Sequence, residues 1–130
     1  LITTKPEIEQ SIKLDKLLAK PSKFKDREII HLKNVKFINR SDNNLFTFNV
    51  KGGSGNTYQC EIQIDQERRC KFHCNCDSFK YQFAYLLNQK KSLLYPNSFN
   101  LLNKHSKTNS ITYVCKHLES CINFLKGVKI

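Results

Sequence analysis

Three runs in the middle of the chain alternate between apolar and polar residues with a period of two. In LFTFNV (residues 45–50) the apolar parity holds Phe46, Phe48 and Val50, and in TYQCEIQI (57–64) it holds Tyr58, Cys60, Ile62 and Ile64. In RCKFHC (69–74) Cys70, Phe72 and Cys74 fall on one side. Successive side chains of a strand point to opposite faces, so each run predicts a strand with one apolar face. KGGSGN between the first two supplies a flexible turn, and DQER turns the chain into the third. The pattern predicts an antiparallel hairpin followed by a third strand.

The flanks read differently. PEIEQSIKLDKLLAK opens on proline and acids and closes on lysines, as a helix dipole prefers, with Ile8, Ile12, Leu14, Leu17 and Leu18 apolar. It predicts a helix over residues 7–19. KPSKFKDR reads as a linker, EIIHLKNVKFI as one or two strands, and NRSDNN as a turn. After Cys76, Asp77 or Ser78 is the expected N-cap of a helix carrying Phe79, Phe83, Leu86 and Leu87 at helical spacing. Residues 88–112 are rich in Asn, Ser and Lys and read mainly as loop. A last helix carries Leu118, Cys121, Ile122 and Leu125 on one face, with Gly127 as its expected C-cap. The fold class is therefore α+β: a small antiparallel sheet with flanking helices. Residues 1–44 form an N-terminal helix and basic lead-in, and 45–130 a module with an insertion at 77–114.

Composition narrows the setting. The 130 residues suit one domain, and 22 Lys+Arg against 11 Asp+Glu give a net charge of +11, which draws the molecule toward polyanions. Residues 77–130 hold eight basic and two acidic side chains, so much of the excess follows Cys76. No apolar run approaches the roughly 18 residues of a membrane span, and the first twenty positions lack the layout of a secretory signal. An intracellular setting is expected, nuclear or cytoplasmic, or inside a virion or organelle ribonucleoprotein particle. The absence of Met is consistent with a trimmed chain or a part of a longer one.

Six cysteines without a signal peptide favour thiols used for metal or packing over a disulfide framework. Cys74 and Cys76 form one short pair at a strand end, and Cys115 and His117 another where a helix begins. Two such pairs are what a tetrahedral zinc site asks of a chain. The helix start also places Cys115 where a thiolate is stabilised. A disulfide from Cys70, Cys74 or Cys76 to Cys115 or Cys121 is the competing use, and Cys70 is the competing ligand. Cys60 and Cys121 fit apolar faces and read as core thiols. His73 and His105 have no partner at metal spacing and read as surface, and His31 is no more informative.

Cys-x-Cys followed by Cys-x-His resembles the SWIM-type zinc finger. The likeness extends to the Tyr-containing strand NTYQCEIQI before the first pair and to CKHL at the second, and covers roughly residues 45–126. It implies one Zn2+ held by Cys74, Cys76, Cys115 and His117 within a hairpin-and-helix unit. The 38 residues between Cys76 and Cys115 exceed the usual gap, although closure cost grows only logarithmically with loop length.

Four protein ligands would close the zinc shell, so the metal is expected to be structural and the chain not an enzyme. The GGSG turn lacks the Lys-Ser/Thr of a phosphate-binding loop. The resemblance implies interaction with DNA or protein. Arg68, Arg69 and Lys71, with Lys80, Lys90 and Lys91 beside Tyr81 and Tyr85, are the candidate nucleic-acid contacts, DNA ahead of RNA; they equally suit a solvated basic face. The alternative is a zinc-stabilised component of a virion or ribonucleoprotein particle that contacts mainly protein. The Lys-, Asn- and Ile-heavy composition suits an AT-rich genome. Neither a membrane nor a small-molecule substrate is expected as partner.

Overall fold

A computed structural model of the chain describes residues 12–19, 30, 32–99 and 114–127. In chain order, β1 (Ile12–Lys13) runs directly into α1 (Leu14–Ala19), and β2 (Val35–Arg40), β3 (Leu45–Lys51), β4 (Thr57–Ile64) and β5 (Arg69–Cys74) follow. A π-helical turn (Phe79–Phe83) continues into α2 (Ala84–Gln89), and α3 (Lys116–Leu125) comes last. The strands make one five-stranded sheet in the order β1-β5-β4-β3-β2, every neighbour antiparallel.

The alternating runs pair as their polarity requires. Phe48 lies opposite Cys60 and Cys60 opposite Cys74, while Phe46, Ile62 and Phe72 form the next row. All six side chains are buried on the same face. A register slip of one residue would turn each of them to solvent, so burial itself fixes the pairing. The β3–β4 turn is held by the Gly52 N–H to Asn56 and the Gly55 N–H to Gly52, with Gly55 at φ +88°, a conformation glycine adopts without strain.

α3 lies across the apolar face. Its Leu118, Cys121, Ile122 and Leu125 are buried, and it touches β2, β3, β4, β5 and α1. Phe124 extends the contact, its ring 5.6 Å from Phe48 and 6.2 Å from Phe37. The end of this helix differs from the glycine cap read from sequence. Lys126 caps it in right-handed geometry, and Gly127 donates its N–H to Phe124 without a left-handed φ.

Two other expectations change. Ile12 and Lys13 belong to a strand opposite Cys70 and Arg69, so the first helix, within the described residues, runs only from Leu14; residues 7–11 lie outside them. The outer edge of β5 is the cause. Ile12 and Leu14 donate to Ser92 Oγ and the Arg68 carbonyl at 2.8 Å, while Ser92 and Leu94 bond Phe72 from the other direction. Covering that edge leaves no row of open peptide groups on β5. Neither Asp77 nor Ser78 caps the next helix by side chain, because both already lie in its first turn: the Cys76 carbonyl accepts the Lys80 N–H and the Cys76 sulfur the Phe79 N–H, and a widened π turn follows. That turn buries Phe79 and Phe83 together with Ala84 and Leu87, and leaves Leu86 half-buried.

Candidate metal centre

The sheet register and the start of α3 bring one four-residue cluster together. Cys74 ends β5 with its side chain inward, opposite Cys60. Asn75 then turns outward, its Oδ1 accepting the Gln59 N–H at 3.0 Å, and Cys76 follows at the bend. From the other side Cys115 occupies the N-cap of α3 in extended backbone (φ −73°, ψ 167°), and His117 is the helix's second residue. The sulfurs of Cys74, Cys76 and Cys115 and a ring nitrogen of His117 all lie within 4.8 Å of one another, and all four residues are buried.

This geometry can hold a metal ion. A tetrahedral centre with sulfur near 2.3 Å and nitrogen near 2.0–2.1 Å sets ligand atoms roughly 3.5–3.8 Å apart. The His117 Nδ1 to Cys74 Sγ distance is 4.0 Å, so small side-chain motions complete the shell. The Phe79 N–H points at Cys76 Sγ at 3.3 Å, a contact that favours a thiolate. The six described cysteines are free thiols, so no sulfur of the cluster is tied in a disulfide.

The thiols of the cluster differ in their surroundings. Cys115, for all its place at a helix start, has its thiol pushed up, first by complete burial and then by the thiols of Cys74 and Cys76. Cys76 is the thiol held far down, by hydrogen bonds from Cys115 and Cys74, from His117 and from the Phe79 N–H. Three sulfurs so close cannot all carry charge without a cation among them, and a bound metal would favour the thiolate at all three.

The remaining thiols sort by position. Cys60 lies behind Cys74, its sulfur 3.6 Å away, and its thiol is pushed up first by contact with Cys121. Cys70 faces Ile64 and Ile12, four residues before Cys74 along β5, a rise of about 13 Å that removes it from the cluster. Burial pushes the Cys70 thiol up to about 12.

Of the candidate basic contacts, Lys80 lines a cavity with Cys74 and Cys76. Arg68 makes a two-pronged pair with Asp15 at 2.8–3.1 Å, and Arg69 lies 3.6 Å from Glu67. Arg69 and Lys71 line a shallow depression with Asn43, Gln63 and Asp65. Lys80 stands 5.1 Å over the Tyr81 ring, while Lys90 and Lys91 end α2.

His73, read as surface, is half-buried among the rings of Phe79, Tyr95 and Phe99, at centroid distances of 5.0–6.2 Å, with its Nδ1 buried and unpartnered. Burial lowers its pKa. His31 and His105 lie outside the described residues.

Two further residues stand beside the centre. Tyr58, an inward strand position and the tyrosine of the strand that carries the resemblance, packs its ring 4.3 Å from that of His117. Gly52 comes so close that a Cβ there would stand 3.2 Å from Tyr58 and 3.3 Å from His117 Nε2. Only tertiary packing distinguishes it from its neighbour Gly53, where a Cβ would meet nothing.

Comparison with protein-family models, with curated proteins and with solved structures returns no match for this chain.

Proposed function

We propose that the chain is a zinc-binding interaction module of the SWIM kind, in which a single Zn2+ on Cys74, Cys76, Cys115 and His117 is architectural and a basic surface binds nucleic acid, DNA ahead of RNA. The observation that carries the reading is the buried convergence of three thiols and one imidazole from two distant parts of the chain. Thiolate and imidazole donors in a four-point shell suit zinc better than harder divalent cations. Four protein ligands leave no position for an activated water, so the role assigned to the metal is to pin the start of α3 to the end of β5. The net charge of +11 supports a polyanionic partner.

Metal content by mass spectrometry under non-denaturing conditions tests the first half. One zinc per chain is expected in the wild type, with loss in Cys74→Ala and His117→Ala; a wild type purified with zinc yet carrying none contradicts it. Duplex DNA binding across a salt series tests the second half. Affinity should fall steeply as salt rises, and no binding at about 50 mM salt would remove the nucleic-acid reading.

A second reading is favoured by the β2 edge, where Leu32, Phe37 and Ile38 are exposed at 53%, 41% and 45%. An apolar strip of this kind suits contact with protein inside a larger assembly, such as a virion or ribonucleoprotein particle. Under that reading DNA binding by the isolated chain is absent while zinc is retained.

A further inference from the structure

His117 stands between two environments. Its Nδ1 faces Cys74 Sγ at 4.0 Å, whereas its Nε2 faces Gly52 across the ring. If Nδ1 gives its lone pair to the metal, the neutral imidazole carries its hydrogen on Nε2. Metal-bound histidines generally pass that second hydrogen to a carboxylate, carbonyl or water, which fixes the ring and strengthens the ligand. Here the residue is 4% exposed, and no hydrogen bond to Nε2 is found among the described residues.

Nε2 opens instead onto a cleft of about 380 Å³. Its walls are Gly52, Gly53 and Ser54 of the β3–β4 turn, Tyr58, Cys76 with Asp77 and Ser78 after it, and Lys116 beside His117. The cleft depends on Gly52. The backbone there is not left-handed, so conformation alone does not call for glycine; a side chain would close on Tyr58 and on Nε2 itself. The turn's internal bonds use the N–H groups of Gly52 and Gly55 and leave those of Gly53 and Ser54 without a described backbone partner.

Resting on the metal-site reading above, we infer that this cleft binds a phosphate oxyanion, with the His117 Nε2–H, the Lys116 ammonium and the Ser54 and Ser78 hydroxyls as its donors. A lysine and two hydroxyls gathered with the imidazole N–H match a ligand that only accepts hydrogen bonds and carries negative charge. The overall charge of +11 raises the local concentration of such ligands. Asp77 is the one carboxylate wall and, like the Cys76 sulfur, opposes an anion, which gives the inference a sign test: removing the Asp77 charge must strengthen binding. The phosphate is either free or part of a nucleic-acid backbone, and the two are separable by experiment.

The test uses the full chain, zinc-loaded and labelled with 15N-histidine, with metal content measured on every sample. The His117 Nε2–H resonance is followed while inorganic phosphate, and separately a short single-stranded oligonucleotide, is added at fixed ionic strength. A saturable shift is expected. Lys116→Ala should weaken it about tenfold or more, as for loss of a charge-assisted hydrogen bond. Gly52→Ala should weaken it comparably with metal retained, and Asp77→Asn should tighten it. Response to phosphate alone assigns a free ligand, and tighter response to the oligonucleotide assigns a backbone phosphodiester. A metal-loaded wild type whose resonance moves with neither probe, or moves equally in Lys116→Ala, overturns the inference alone. A chain that takes up no metal overturns the coordination reading and this inference with it.

Discussion

Phe48 joins the sheet to the last helix, and truncating it should show how much of the fold rests on packing independent of the metal. Its side chain is fully buried, with the rings of Phe37 and Phe124 both 5.6 Å away, the latter edge-on. Phe-to-Ala changes in well-packed cores cost about 3–5 kcal/mol, and each lost ring pair is worth on the order of 0.5–1.5 kcal/mol within such a total. Phe124 is only partly buried and can relax into the space, so the expected loss for Phe48→Ala is about 4 kcal/mol. For a domain whose net stability is on the order of 5–15 kcal/mol, that is a large fraction but not the whole. With a urea slope near 2 kcal/mol per M, the unfolding midpoint should fall by about 2 M. The assay is equilibrium urea unfolding with zinc present, followed by circular dichroism, and metal content at zero urea should stay at one per chain. A loss under about 1 kcal/mol in a variant that retains metal would refute the packing of α3 on β3 through Phe124.

Three further outcomes are expected. Cys121→Ser should keep one metal per chain yet lose about 1–3 kcal/mol, because it sets a hydroxyl in an apolar helix face; equal metal loss in Cys121→Ser and Cys74→Ala would contradict the ligand assignment. The Tyr95 phenol, which donates to Glu61 at 2.7 Å, is pushed up to about 12 by that bond. Its folded value lies above the ordinary 10, so its contribution is intact below pH 10 and is lost as pH rises through 12; ultraviolet titration of Glu61→Gln should bring Tyr95 back toward 10, and an unchanged curve would contradict the bond. Asp15 is held below its ordinary 3.8 by the hydrogen bond from Arg68, so the pair contributes above that pH and fades as pH falls through the lower folded value. Arg68→Ala should flatten the acid limb of the melting curve only slightly, since both side chains are solvent-screened, and a steep effect would contradict that screening.

The strands that build the centre were legible because their signal is local. Phe46, Phe48 and Val50, then Cys60, Ile62 and Ile64, then Cys70, Phe72 and Cys74 each keep one parity, and a half-buried sheet demands no more. The face of α3 was legible for the corresponding helical reason. β1 was not, because Ile12 and Lys13 sit in a helix-like composition and become a strand only by meeting the open edge of β5. The π turn at Phe79–Phe83 was hidden likewise, since a four-residue spacing of aromatics reads as an ordinary helix, and only the backbone bond from the Ala84 N–H to the Phe79 carbonyl, five residues back, marks the wider turn. Of the site, the two short pairs were legible from spacing. The placement of Gly52 and Lys116 beside the centre was not, because it depends on the β3–β4 turn folding back onto the start of α3.

The most direct test is zinc X-ray absorption on the purified chain. Three sulfurs near 2.3 Å and one nitrogen near 2.0–2.1 Å are predicted. A shell of four sulfurs, or one dominated by oxygen, would contradict coordination by Cys74, Cys76, Cys115 and His117.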